Sequence, residues 1–156
     1  MDSPIGKLHL GASDLGLRWI KLFDQGEIIQ SENLLLDEAV SQLNRYFDGQ
    51  LQSFDVPLDL KGYSPFSLRV WEQLQKIQYG KTISYKELAI RLGDVKCIRA
   101  AGTANGRNPI PIIIPCHRVI GSNGDLKGFA LGLDVKRKIL AIENPTKYQY
   151  HTPTLW

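Results

Sequence analysis

Apolar and polar positions alternate near the start of the chain and then take up a helical period. Ile5-Gly6-Lys7-Leu8-His9-Leu10-Gly11-Ala12 alternates loosely, and Leu17-Arg18-Trp19-Ile20-Lys21-Leu22-Phe23 alternates as a half-buried strand does. Asp14-Leu15-Gly16 between them is turn chemistry, so the two runs predict a hairpin. Glu27-Ile28-Ile29-Gln30, after Asp24-Gln25-Gly26, predicts a third strand. From Asp37 to Phe47 the residues Ala39, Val40, Leu43, Tyr46 and Phe47 fall at helical spacing, and Asp48-Gly49 closes that helix. Phe54 to Leu58 reads as a short extended piece, and Asp59-Leu60-Lys61-Gly62 as a linker.

Beyond residue 62 the pattern is mostly helical. Pro65 suits the first position of a helix that places Phe66, Val70, Trp71, Leu74 and Ile77 on one face and ends near Tyr79-Gly80. Ser84 followed by Glu87 predicts a capping box for a helix through Leu88, Ala89 and Leu92 that stops at Gly93. Asp94-Val95-Lys96 is a short turn, and residues 97–106 form the next helix. Helix, short glycine-containing turn, helix is the helix-turn-helix pattern. The second of these helices is rich in Ala and Gly, with Arg99 its one charge. Reading bases needs several long polar side chains; small ones suit close approach to a backbone or groove, or equally tight packing on another helix. Gly121-Ser122-Asn123-Gly124 predicts a turn, Gly128 to Gly132 a loop, and Asp134 to Glu143 a last helix ended by Asn144-Pro145.

The 156 residues are 43% hydrophobic and 22% charged, enough for a packed core and one or two small domains. No apolar run approaches the roughly 20 residues that span a bilayer. Met1-Asp2-Ser3-Pro4 has no leader character, so no membrane association is expected. Two widely spaced cysteines exclude a disulfide framework and fit a reducing cytoplasm. Charge divides the chain: residues 1–61 carry 5 Lys/Arg against 10 Asp/Glu, net −5, and residues 62–143 carry 13 against 6, net +7. The basic part is suited to a polyanion.

The candidate chemistry lies at Ile110-Pro-Ile-Ile-Ile-Pro-Cys-His-Arg-Val119, read as an apolar strand that stops at a proline and presents a thiol, an imidazole and a guanidinium. A buried structural cysteine is the bland reading. Beside a cation, a histidine or a helix N-terminus, a thiol pKa falls from about 8.5 toward neutrality, and Pro115 permits a helical turn to start at Cys116. His117 would reach the thiol across a turn or a bridging water. It works best with a carboxylate on its other nitrogen, for which Glu143 is the best candidate.

Pro115-Cys116-His117-Arg118-Val119, with Asn108-Pro109 and Gly80-Lys81-Thr82-Ile83-Ser84-Tyr85 upstream, resembles the O-6-alkylguanine-DNA alkyltransferases, the methylated-DNA–protein-cysteine methyltransferases. The likeness covers residues 62–143, and Ser3-Pro4-Ile5-Gly6 and the hairpin extend it more weakly. It implies an α+β fold: a small α/β, ribonuclease-H-like domain over 1–61, a mostly helical domain with a helix-turn-helix over 62–145, and a tail over 146–156. It implies irreversible, stoichiometric transfer of an alkyl group from O6 of guanine, and from O4 of thymine, in double-stranded DNA to Cys116. The base would be flipped from the minor-groove side. His117 would be a water-mediated general base oriented by Glu143. Tyr85 would pass a proton toward guanine N3 and touch phosphate, with Ser84 also at the DNA, and Asn108 would hold the active-site turn. Arg99 would fill the gap in the duplex while Ala100 and Gly102 let the helix sit in the groove. Pro115, Phe129, Ala130 and Leu131 would wall the base pocket.

No cofactor and no metal are expected: some members of that family hold zinc in the small domain, where this chain has only His9 and no cysteine. Ser67 stands where many members have Gln, Phe129 where some have Tyr, and Leu131 where the pocket loop has glycine, which narrows the pocket against bulky alkyl groups. Cys97 is a passive small residue on this reading, and the protein a monomer. Three other functions compete. A non-repairing lesion binder of the alkyltransferase-like kind would lack Cys116; a helix-turn-helix regulator would need more base-reading side chains; a cysteine hydrolase would need an oxyanion hole, which no motif supplies.

Overall fold

The computed structural model describes residues 1–23, 31–124, 126, 129 and 131–148. Strands β1 (Asp2–Ser3), β2 (Gly6–Ala12) and β3 (Leu17–Leu22) form an antiparallel sheet in that order. The predicted hairpin is β2–β3, closed where the Ser13 amide donates to the Gly16 carbonyl. A Cβ at Gly11 would run into the Trp19 indole that crosses it, so a larger residue there would displace that ring. The predicted third strand at 27–30 lies outside the described residues. Helix α1 (Leu34–Phe47) starts three residues before the predicted position, since the Asn33 carboxamide caps it by accepting from Leu35 and Leu36. Its face of Ala39, Leu43 and Tyr46 packs into the core.

Asp59 is an anchor rather than free linker. It is buried, accepts from Ser13 Oγ and pairs with Arg18 at 3.0 Å, and Leu58 bridges Leu17 in parallel. The open edge of β3 is met further along by the Ile20 amide donating to the Pro109 carbonyl. A sheet edge needs such partners, and this one ties the hairpin to the loop that carries the candidate site.

Helix α2 (Pro65–Gln75) has proline at its first position and Ser64 as cap, and buries Val70, Trp71 and Leu74. A two-residue strand β4 (Ile83–Ser84) leads into α3 (Tyr85–Arg91). Ser84 caps α3 by accepting from the Glu87 amide, as the capping box requires, but the Glu87 carboxylate turns to Arg91 at 3.3 Å. A 3-10 turn (Val95–Cys97) precedes α4 (Ile98–Gly106), completing the helix-turn-helix. The Trp71 indole donates to the Ala104 carbonyl at 2.9 Å, fixing α4 on α2. The chain then folds through 107–115, makes a 3-10 turn (Cys116–Arg118) and enters strand β5 (Val119–Ile120). Helix α5 (Leu133–Glu143) closes the described fold. One continuous core runs from Leu8, Leu17 and Tyr46 through Trp71 and Leu88 to Ile110, Cys116 and Ile139. No helix among the described residues is long and apolar enough to cross a membrane.

Candidate active site

The run 110–115 is not a strand. Its apolar residues have no period, and the chain instead folds on itself: the Ile114 amide donates to Ile110, and Pro111 bridges Ile114. Asn108 staples this loop from inside. Its amide donates to the Ile114 carbonyl at 2.6 Å and its oxygen accepts from the Ile110 amide at 2.9 Å. Ile112 sits at φ 75°, a conformation that a β-branched residue holds only when its surroundings impose it. Burial of Ile110, Ile112 and Ile114 supplies that imposition. The loop delivers Cys116 to the first position of the 3-10 turn, as Pro115 allowed.

Cys116 has no exposed surface. Burial pushes its thiol up to about 11, against the opposing pull of the Asn108 amide and the Lys136 ammonium. The expected fall toward neutrality therefore does not occur, because loss of hydration outweighs one nearby cation. His117 is equally buried, and its Nε2 lies 2.7 Å from Glu143 Oε2. Burial holds this imidazole below its usual pKa despite the carboxylate, so it is neutral at neutral pH. An ionised carboxylate only accepts, so Nε2 carries the proton and Nδ1 is the free base. Burial alone would raise the Glu143 carboxyl; hydrogen bonds from His117 and Arg118 and their charges hold it well below the usual carboxylate range. Arg118 grips Glu143 in a fork, Nε to Oε1 at 2.7 Å and Nη2 to Oε2 at 3.0 Å, and donates to the Ile77 carbonyl.

The parallel pairing of β4 with β5 sets Ile83 against Val119 and Ser84 against Ile120. The two residues that open the helix-turn-helix thus lie beside the strand leaving the Cys-His-Arg turn. Half-buried Tyr85 is near enough to Cys116 for the thiolate charge to add to burial in raising its phenol pKa. Asn105, buried, hydrogen-bonds Tyr85 and donates to the Cys116 carbonyl at 3.3 Å. Lys136 is buried on α5, donates to the Val119 carbonyl at 2.7 Å, and is pushed down to about 8 by burial.

Arg99 and Ala100 are exposed on the outer face of α4. Gly102 is half-buried, and a Cβ there would stand 3.6 Å from the Tyr85 ring, an ordinary contact. Leu131 lines a cavity of about 390 Å³ with Asn108, Pro111 and Trp19, and Phe129 packs on the core from outside. Pro115 is buried and borders a second cavity of about 510 Å³ with Tyr79 and Arg118. Ala130 lies outside the described residues. Among the described residues no three His, Cys, Asp or Glu side chains gather to hold a metal.

Sequence reasoning missed Tyr46, Asn105, Lys136 and the grip of Arg118 on Glu143. For Lys136 the signal was present: positions 136, 139, 140 and 143 share one helix face, which is the buried one. Tyr46 donates its hydroxyl to Glu143 from 97 residues away, a pairing without a local signal.

The profile described as 6-O-methylguanine DNA methyltransferase, DNA binding domain, matches residues 65–145, and that of the ribonuclease-like domain matches residues 1–60. The chain is 50% identical over 149 residues to a methylated-DNA–protein-cysteine methyltransferase of Methanosarcina mazei, covering 92% of this chain and 94% of that protein. It is 47% identical over 148 residues to the protein of the same name from Mycolicibacterium paratuberculosis, with 92% and 89% covered. Among solved structures it is similar to that of Mycobacterium tuberculosis OGT in complex with DNA, at 44% identity and TM-score 0.83, covering 93% and 91% of the two chains.

Proposed function

The chain belongs to the 6-O-methylguanine DNA methyltransferase family, and from that premise we propose how its own residues carry out the repair. It is a methyltransferase of direct-reversal DNA repair, moving an alkyl group from O6 of guanine in DNA to a cysteine of its own. Cys116 is that cysteine. The observation that carries this reading is the buried His117–Glu143 contact of 2.7 Å one residue from a fully buried thiol.

The thiol holds its proton in the free protein, so proton removal accompanies attack. The Cys116 proton passes through a water to His117 Nδ1, and Glu143 steadies the imidazolium that results. Sulfur forms its bond to the alkyl carbon as the carbon–O6 bond breaks, and the electron pair leaves with guanine. Tyr85 meets the leaving base with its hydroxyl toward N3. The thioether does not hydrolyse, so each molecule reacts once.

The base is reached by flipping, since O6 inside a duplex cannot meet a buried sulfur. Arg99, exposed on α4, fills the vacated stack, while Ala100 and Gly102 keep that surface low against the minor groove. Ser84 and Tyr85 lie at the backbone phosphates. Asn108 keeps the turn in place and bounds the base; Pro115, Phe129 and Leu131 wall its pocket. O4 of thymine is a second substrate on the same chemistry. The excess positive charge of residues 62–143 provides affinity for duplex DNA of any sequence. Free thiols at Cys97 and Cys116 fit a cytoplasmic protein, and a monomer suffices for this site.

The test is to incubate the protein with duplex DNA carrying O-6-methylguanine and weigh it. One CH₂ gained, about 14 Da, and lost in Cys116→Ser, is the expected result, each product matching one repaired base. Tight lesion binding at unchanged mass would instead identify a non-repairing binder.

A further inference from the structure

We propose that Tyr46, contributed by α1 of the N-terminal segment, is a positioning residue for alkyl transfer: its hydroxyl fixes the Glu143 oxygen that holds His117. The proposal rests on the reading of His117 as the base. The Tyr46 hydroxyl donates to Glu143 Oε2 at 2.7 Å. That oxygen also meets His117 Nε2 at 2.7 Å and Arg118 Nη2 at 3.0 Å. The other oxygen takes Arg118 Nε at 2.7 Å and the Gly80 amide at 3.4 Å. A carboxylate has about four acceptor sites, so this one is saturated and its orientation is set by its donors.

Tyr46 is fully buried, and its ring centroid lies 5.3 Å from that of Phe54, 5.4 Å from Phe47 and 6.1 Å from Tyr79. Packing therefore fixes where the hydroxyl sits. Phenylalanine would fill the same space, so the hydroxyl is present for Glu143. Its effect reaches the reacting proton. A donor on Oε2 withdraws negative charge from the atom that stabilises protonated His117, and so tunes how readily that ring takes a proton from Cys116. The charged groups facing His117 are Glu143, Arg118 and Lys136; those facing Tyr46 are Glu143 and Arg118, with the Tyr79 phenol beside them.

The experiment measures the rate of methyl transfer from O-6-methylguanine duplex DNA across pH 5–8. It compares wild type, Tyr46→Phe, site-specific 3-fluorotyrosine at position 46, and Phe54→Leu. Neutral His117 is the active form, so the rate falls as pH drops through its pKa. Tyr46→Phe removes a donor and raises that pKa: the acid limb moves up by about half a pH unit or more, with the rate below the limb falling about threefold or more. Lesion-duplex affinity is unchanged. The fluorinated residue is a stronger donor, keeps the hydroxyl and moves the limb down. Phe54→Leu trims one of the three rings around Tyr46 while Phe47 and Tyr79 still hold its hydroxyl on Glu143, so it lowers Tm and leaves the limb where it was. A reactive wild type whose limb ignores both changes at Tyr46, or moves equally in Phe54→Leu, overturns this proposal alone. A wild type that takes no methyl overturns the underlying reading.

Discussion

At Cys116 two effects pull on one proton. Burial favours the neutral thiol and raises its pKa to about 11, while Asn108 and Lys136 favour the thiolate and only moderate the rise. A thiol so placed holds its proton at neutral pH, and under the mechanism proposed above it gives that proton up only when an alkylated base is held against it. Lys136 carries most of its charge at pH 7, because burial has brought it down only to about 8. That ammonium attracts the thiolate only while it keeps its proton, so Lys136→Met should slow methyl transfer at pH 7 and lose that handicap above about pH 9, where the wild-type lysine is itself neutral. The ratio of the two transfer rates across pH 6–10 checks this; a ratio that does not change with pH would exclude the role of the Lys136 charge. Half-exposed Cys97 should label with iodoacetamide first in both proteins. At this scale adjacency set the imidazole beside the thiol, whereas Glu143 meets His117 across 26 residues, a contact for which the sequence offered a candidate but no local signal. The sequence misjudged the thiol's acidity, because hydration depends on everything that covers the sulfur.

Elements with a clear period were legible, and the one without a period was not. Helices α2, α3, α4 and α5 fall where Pro65, Ser84, Gly93 and Asn144 punctuate the chain. The 110–115 run reads as a strand because a short apolar run has no face to betray it; its true shape is imposed by Asn108 and the Ile112 conformation. Within the helix-turn-helix, α4 buries Ala101, Ala104 and Asn105 and turns Arg99 and Ala100 outward. Tight packing describes the inner face, and the outer face is left exposed. If Arg99 fills the gap left by a flipped nucleotide, Arg99→Ala should slow repair of duplex DNA by about tenfold or more, since unstacking costs a few kcal/mol that the side chain offsets in part. Repair of the same lesion in single-stranded DNA should change little, and the salt dependence of binding to undamaged duplex should keep nearly the same slope. Equal slowing on both substrates would assign Arg99 to phosphate contact instead.

The whole molecule joins an acidic N-terminal part to a basic C-terminal one through shared burial. Tyr46 reaches Glu143, Ile20 meets Pro109, and the core passes between the two without a break. None of these pairings has a sequence signal, because each joins residues tens of positions apart and depends on how two separately patterned segments dock. Such a core predicts one cooperative melt, in which tryptophan fluorescence from Trp19 and Trp71 and the helical circular dichroism change together. It also predicts how that melt depends on acid. Glu143 has a native pKa below its unfolded value of about 4.3, so its contribution is complete above that pH and is lost as pH falls below it. Native His117 also lies below its unfolded value of about 6.5, so the unfolded chain binds the extra proton first and stability starts to fall there. Both act in one direction: Tm should decline from about pH 6.5 and steepen below about 4.5. Glu143→Gln leaves Arg118 buried without its counter-charge, which costs about 3–5 kcal/mol at pH 7. The variant has less left to lose, so its Tm should vary less with acid than that of the wild type. Parallel Tm–pH curves for the two proteins would mean that acid unfolds the chain through other groups.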